Sequence, residues 1–304
     1  MGNVLVIYFS NSGCTKYVLE ALLSPIIAAD HRVRWCALSP QQAYPFPWTH
    51  PQFYETYPEA LAGDLPCLEP MDLGEARDID LVILGWQVWF LRPSPPVQAF
   101  LRSRDAEVLC GKRVVSVVSC RQMWRTAYGH LLQAVTEKGG YVTDNVIVTH
   151  RGGARTLVTT PRTLIRSRRE HGGVVPSSLL DPEAMALQNR LGELLCDSAA
   201  DWPKLNRGPL LSGVETASTG SAFDLAEWIG NGYMIAWGGI ARLVGGRRTW
   251  SRSISAFVFA VVLTILVPFV VLVGFLVSTA ARLCLSRLKG AFAAADPGPR
   301  SKPQ

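Results

Sequence analysis

Hydrophobic positions along the first 150 residues alternate between short, β-rich apolar runs and stretches of helical period, the pattern of a doubly wound parallel sheet. Five strands are predicted, at 4–9, 33–36, 81–85, 114–118 and 145–149. The first, third and fourth are continuously apolar, as strands covered on both faces are. Helical periods lie between them. Val18, Leu22 and Ile26 recur every four residues in 15–28, a second helix is predicted over 96–102, and Leu131, Leu132 and Val135 share one side of 127–137. A closing helix begins at "LLDPEAMALQNRLGELL", with Asp181 as N-cap and Pro182 at the first helical position. The fold class expected is therefore α/β, a doubly wound five-stranded parallel sheet over 1–203, ahead of a Gly/Ser/Thr-rich linker.

Two inserts break the alternation. Residues 37–75 contain "YPFPWTHPQFYETYP", and 151–178 carry six arginines. Residues 204–252 read as a linker and an interfacial segment, with Tyr233 and Trp237 as anchors. Beyond them, "ISAFVFAVVLTILVPFVVLVGFLV" holds no charge and is long enough to cross a bilayer, so a membrane helix kinked near Pro268 is expected over 253–281, followed by a basic, disordered tail over 282–304. Basic residues flank both ends of the run, so the positive-inside rule does not orient it.

Charge sharpens this division. Residues 1–203 hold 19 Lys/Arg against 20 Asp/Glu, whereas 204–304 hold 11 against 4. The basic excess belongs to the C-terminal third, which suits a membrane surface and excludes a globally basic nucleic-acid binder. Seven cysteines without a C-x-x-C pair signal neither a zinc site nor a disulfide framework. No secretory signal is read at the N-terminus, and Val6 stands where a myristoylation motif needs Ser or Thr.

The candidate chemistry sits after the strands. "SNSGCT" (Ser10, Asn11, Ser12, Gly13, Cys14, Thr15) joins the first strand to the N-terminus of the first helix, where unpartnered N–H groups and the helix dipole favour an anion. It is neither a P-loop nor a G-x-G-x-x-G turn. An aromatic turn follows the third strand (Trp86, Gln87, Val88, Trp89, Phe90), and a third turn, "SCRQMW", contains Cys120 and Arg121. One phosphate-like and two ring-like turns at one sheet edge suggest a planar cofactor with a single phosphate.

These residues resemble the flavodoxin and flavodoxin-like quinone-reductase superfamily, whose first loop has the form [ST]-x-[ST]-G-x-[ST]; Ser10, Ser12, Gly13 and Thr15 match it. The resemblance implies FMN, its phosphate at residues 10–15 and its ring between the other two turns. A narrower likeness lies in "YPFPW", "QVWFL", "CRQMW" and "TTPR", which are similar to the flavodoxin-like family labelled dialkylresorcinol condensing enzyme. That family works beside a ketosynthase, and the resemblance implies an FMN-dependent oxidoreductase that aromatises an alkylated cyclohexanedione. Condensation itself would need a Cys activated by His or Asn, and no such arrangement is recognisable. Arg121, Tyr44 and His50 are the candidates for polarising the substrate or taking its proton. The implied partners are a lipophilic small-molecule substrate, a ketosynthase or acyl carrier protein, and the membrane, with no nucleic acid. The implied location is the bacterial inner membrane with the catalytic domain cytoplasmic. A membrane-attached NAD(P)H:quinone reductase, a tethered electron carrier and a scaffold that has lost FMN stay open.

Overall fold

The computed structural model describes residues 1–46, 48–120, 123–149, 182–204, 208–211, 221–246 and 249–295. The arginine-rich insert, "TTPR", Asp181, Arg121 and the last residues of the tail lie outside this set, as do some helical side chains, His50 and Pro268 among them.

Strands β1 (Asn3–Tyr8), β2 (Arg32–Ala37), β3 (Leu81–Trp89), β5 (Arg113–Cys120) and β6 (Tyr141–Thr149) form a parallel sheet in the order β2-β1-β3-β5-β6, and the short β4 (Arg92–Pro93) pairs antiparallel with β3. This is the flavodoxin-like order, in which ligands bind beyond the carboxyl ends of the strands where the winding reverses. Alternate residues of the apolar runs enter opposite cores. Leu5, Ile7, Val82, Leu84, Val114 and Val118 face α3 (Pro95–Arg102) and α4 (Arg125–Glu137). Val4, Val6, Leu81, Ile83, Val115 and Val117 face α1 (Cys14–Ala28) and α5 (Pro182–Asp197). Each such side chain, fully buried, contributes about 1.5–3 kcal/mol relative to exposure.

Strand β3 runs four residues past the expected end, because Trp86 and Gln87 still pair with Val118 and Ser119 of β5. The chain then reverses through Phe90 and Leu91, with φ of 52° and 59°, the two left-handed residues of a type I′ hairpin. Such a turn ordinarily takes Asn-Gly. Here Leu91 is buried against Met123, Ala226 and Val270, and Phe90 packs with the Tyr54–Tyr57–Phe259 cluster, so tertiary burial holds the strained turn.

The aromatic insert is partly helical. In α2 (His50–Ala62), Thr49 accepts from the Gln52 N–H while the Gln52 side chain accepts from the Thr49 N–H, a reciprocal cap, and Gly63 closes the other end.

The segment expected as linker and interface contains a long helix, α6 (Ser221–Val244), antiparallel in sequence to α7 (Trp250–Ala295) across a short connection. Helix α7 is continuous from before the uncharged run to Ala295, well into the expected tail. Among the residues whose side chains are described, no helix is long and apolar enough to cross a membrane. Positions 267, 268, 271 and 275 of the run fall outside that set. Both helices pack on α2. Phe259 lies between Tyr57 (ring centroids 4.1 Å apart, 9° between planes) and Tyr233 (5.3 Å, 5°), while Arg252 pairs with Glu59 and Arg242 with Asp64.

The first domain also extends beyond residue 203. Asp144 of β6 accepts from the N–H groups of Leu210 (3.0 Å) and Leu211 (2.8 Å), and Arg113 donates to the Gly208 carbonyl (3.1 Å). Leu210 and Leu211 are buried in the core beneath the sheet.

Candidate functional site

The loop after β1 wraps the start of α1 as its composition predicts. Gly13, at φ 88°, is the N-cap residue, in a left-handed conformation that a side chain would strain. With no side chain at the cap and no acidic residue in the first turn, the positive end of the helix dipole is left for a ligand. Ser10 Oγ accepts from the Lys16 N–H at 3.2 Å, and the Asn11 N–H donates to Gln87 Oε1 at 3.4 Å, tying the loop to β3. Asn11 Nδ2 donates to the Pro45 carbonyl, tying it to the aromatic insert.

Thr15 is fully buried and its hydroxyl has no hydrogen-bond partner among the described residues. An orphaned hydroxyl costs about 1–3 kcal/mol, and one at a dipole end without a cap fits a phosphate monoester that would accept from it. Cys14 is buried beside it and carries no charge that would oppose an anion.

The second turn differs from expectation. Trp86 is fully buried in the strand, and its Nε1–H donates to Ser116 Oγ at 2.8 Å. It is a core residue and has no face to stack on a ring. The error lies in the pattern itself, since a strand covered on both faces gives no alternation to mark its end. Gln87 is buried at the loop, and Val88 and Trp89 lead to the hairpin. Trp89 takes the exposed role instead. Half-buried, it meets Tyr44 (5.0 Å between centroids), Trp48 (5.3 Å) and Phe9 (5.8 Å) edge-on, and Phe90 packs on Phe53. Tyr44 is thereby placed at this edge, within the aromatic cluster. His50 is the first residue of α2, and its side chain is outside the described set.

At the third turn Cys120 is buried, and burial, then the charge of Glu227, pushes its thiol far above the usual range, so it is no nucleophile. Met123, at φ 51°, adds a third left-handed residue to the same sheet edge as Phe90 and Leu91. Strained residues gathered at one sheet edge make that edge a candidate for the site.

Glu227 was not foreseen. It is buried on α6 and accepts from the Thr126 N–H at the start of α4, where Trp124 offers no capping side chain. Four residues on, Asn231 accepts from Arg92 of β4 at 2.8 Å. The C-terminal helices thus brace two of the three turns. A separation of 101 residues between Glu227 and Thr126 leaves no local signal for this.

His130 of α4, exposed at the surface, is held below its ordinary pKa, first by partial desolvation and then by the Arg92 charge. The folded chain therefore resists taking a proton that the unfolded chain binds below about pH 6.5. Stability is full above that value and falls as the pH drops through it toward the lower folded pKa. Unfolding free energies measured between pH 7.5 and 5.5 are expected to decline less steeply for His130→Asn than for the natural chain, and equal slopes would remove His130 from the acid limb.

Among the described residues, no group of His, Cys, Asp and Glu is placed to hold a metal ion.

No protein-family model and no curated protein matches the chain. Several solved structures are similar. A flavoprotein in complex with FMN from Lactobacillus acidophilus has 20% identity and a TM-score of 0.40 over 48% of this chain and 93% of its own. A flavodoxin from the domain Archaea has 13% and 0.38 over 65% and 99%. A flavodoxin, WrbA-like protein from Agrobacterium tumefaciens has 12% and 0.38 over 66% and 99%. Likenesses at this level carry no functional argument, and the reading that follows rests on the chain's own residues.

Proposed function

We propose that the chain is an FMN-dependent oxidoreductase which aromatises an alkylated cyclohexanedione to a dialkylresorcinol beside a ketosynthase, at the bacterial inner membrane with its domain on the cytoplasmic side. The observation that carries the flavin part is the start of α1, where Gly13 is left-handed and brings no capping side chain of its own, the Ser10 hydroxyl meets only the Lys16 N–H, and the Thr15 hydroxyl is buried without a partner. Bound there, FMN would supply a two-electron acceptor. Ser10, Ser12 and Thr15 hydroxyls and the first-turn N–H groups would hold its phosphate, and Trp89 with the end of β5 would flank its ring. Aromatisation removes two electrons and two protons from the substrate ring; Tyr44 stands at this sheet edge, and His50 and Arg121 are the sequence's other candidates for polarising an oxygen or receiving a proton. The aromatic cluster of Phe9, Tyr44, Trp48 and Trp89 is suited to exclude water and take the alkyl chains. The arginines of residues 151–169 suit an acidic carrier protein, and the C-terminal apolar helices keep the enzyme where a lipophilic ring compound partitions.

The test is the absorption spectrum of detergent-purified protein, with the released cofactor identified by mass. An FMN spectrum is expected, bleached anaerobically by an alkylcyclohexanedione. Bleaching by NADPH alone would favour the quinone-reductase reading, and a colourless chain that FMN cannot reconstitute would overturn both. Thr15→Val is expected to weaken FMN binding roughly 10- to 100-fold, the worth of one hydrogen bond to a charged group, while the melting temperature of the FMN-free chain rises, because the orphaned hydroxyl and its cost are removed together. A variant that binds FMN as tightly as the natural chain would remove Thr15 from the phosphate site.

A further inference from the structure

Helix α7 has two apolar sides. One packs on the protein. Arg252, Ala256, Phe259 and Val270 are buried, and Leu263 and Leu266 pack beside them, at spacings of four and three that form a continuous seam against α2, α6 and the Leu91 hairpin. The other side carries Ile254, Phe257, Val258, Val261, Ile265, Phe269, Leu272 and Leu276, all exposed, with Phe257 and Ile265 each 68% exposed. A helix lying between a protein and water carries polar residues on its outer side. This one carries a single hydroxyl there, Thr264, which bonds back to the Ala260 carbonyl.

Helix α6 continues the surface with Trp228, Ile235, Ile240 and Leu243, while its Glu227 is turned inward and Arg242 reaches Asp64 of the domain. In sequence the surface is bordered by Arg247 and Arg248 at one end and Arg282, Arg287 and Lys289 at the other. Trp250, 80% exposed, lies beside the first of these borders.

The seam bears on how this surface meets lipid. From Arg252 to Val270 the helix is held against the domain for about 27 Å at 1.5 Å per residue. Between there and Arg282 remain roughly 18 Å, against a hydrocarbon core of about 30 Å. With its packing intact, α7 is too short to cross.

We infer that α6 and α7 form a platform lying in one leaflet of an anionic bilayer, the exposed stripe of α7 seated among acyl chains and the basic borders at the headgroups. Apolar faces of this kind sit about 5–10 Å deep and bind more tightly to anionic lipid. The inference rests on the membrane part of the proposed function and replaces a spanning anchor with an in-plane one.

The full chain carrying a cleavable C-terminal tag would be floated with phosphatidylcholine vesicles, with and without phosphatidylglycerol, and the tag then exposed to protease in sealed vesicles. In a Cys284→Ser chain, the exposed Cys67 and Cys110 of the domain, labelled by an impermeant maleimide, identify vesicles with the domain outside. The expected result is flotation enhanced by phosphatidylglycerol, a tag cleaved from the Cys67 side, and at least tenfold weaker flotation for Phe257→Lys with Ile265→Lys at unchanged circular dichroism. A tag protected while Cys67 is labelled would overturn the inference in favour of a crossing helix. A detergent-free, soluble dimer that does not float would overturn it in favour of a second copy on the stripe. Flotation is read independently of colour, so a chain that floats without FMN would sink the redox reading and support this one.

Discussion

Arg252→Ala is expected to destabilise the folded chain by about 3–5 kcal/mol, because it leaves the Glu59 carboxylate buried without its counter-charge. The side chains of Arg252 and Glu59 are 4% and 7% exposed, and Arg252 also donates to the Glu55 carbonyl at 3.2 Å. The pair joins α7 to α2 two turns before the Tyr57–Phe259–Tyr233 stack, so its loss loosens the helix at the point where it first meets the domain. Replacing both partners, Glu59→Leu with Arg252→Met, removes the stranded charge along with the pair and is expected to recover most of the loss. Urea unfolding in detergent, followed by circular dichroism for the natural chain, the single variant and the double variant, measures this. A single-variant loss below about 1 kcal/mol would put the pair in the class of exposed ion pairs.

Gly85→Val carries the second large effect and reaches the loop proposed for the phosphate through its last residue, Thr15. A Cβ at Gly85 would lie 2.6 Å from Leu19 Cδ1, 3.0 Å from Tyr8 Cβ and 3.2 Å from Thr15 Cγ2. The glycine is what lets the first turn of α1 lie directly on β3. Valine adds two further methyl groups, and overpacking of this kind costs about 1–3 kcal/mol. Relief requires α1 to move outward at Leu19 and Thr15, which carries the hydroxyl and N–H groups of the loop away from their common centre. FMN affinity is therefore expected to fall more than tenfold together with the melting temperature, whereas Thr15→Val lowers affinity and not the melting temperature of the FMN-free chain. Gly129→Ala serves as the control. It faces open space within α4 and is expected to stabilise by roughly 0.5–1 kcal/mol with FMN binding unchanged. A Gly85→Val chain that binds FMN normally would show that the loop's geometry does not depend on this contact.

Much of the sheet was legible in the sequence, because apolar runs such as "VLVI" and "LVIL" are required wherever a strand is covered on both faces. The turn of residues 10–15 into α1 was legible for a similar reason, since Gly13 and the small polar residues around it are local requirements of a turn that ends on a helix dipole. What escaped was either locally ambiguous or distant in the chain. Trp86 and Gln87 read as a turn because an apolar strand gives no signal where it stops, and the Phe90–Leu91 reversal lacks the Asn-Gly of its turn type. The cap of α2 is written in "THPQ", yet it lay inside an insert whose aromatics and prolines suggested irregular structure. Glu227 and the Arg252–Glu59 pair act across 101 and 193 residues, and no periodicity announces a partner at that range.

The stitching of residues 208–211 to the sheet has a consequence for how the chain is made. Asp144 has both carboxylate oxygens committed to the N–H groups of Leu210 and Leu211, and the buried Arg113 reaches Gly208. Until those residues leave the ribosome, a charged side chain on the edge strand of the sheet lacks the partners that compensate its burial, although every strand has already been synthesised. The order of synthesis therefore delays completion of the domain until just before α6 emerges. The sheet is sealed only as the first apolar helix arrives, which shortens the interval in which that helix would be exposed with no finished surface to receive it.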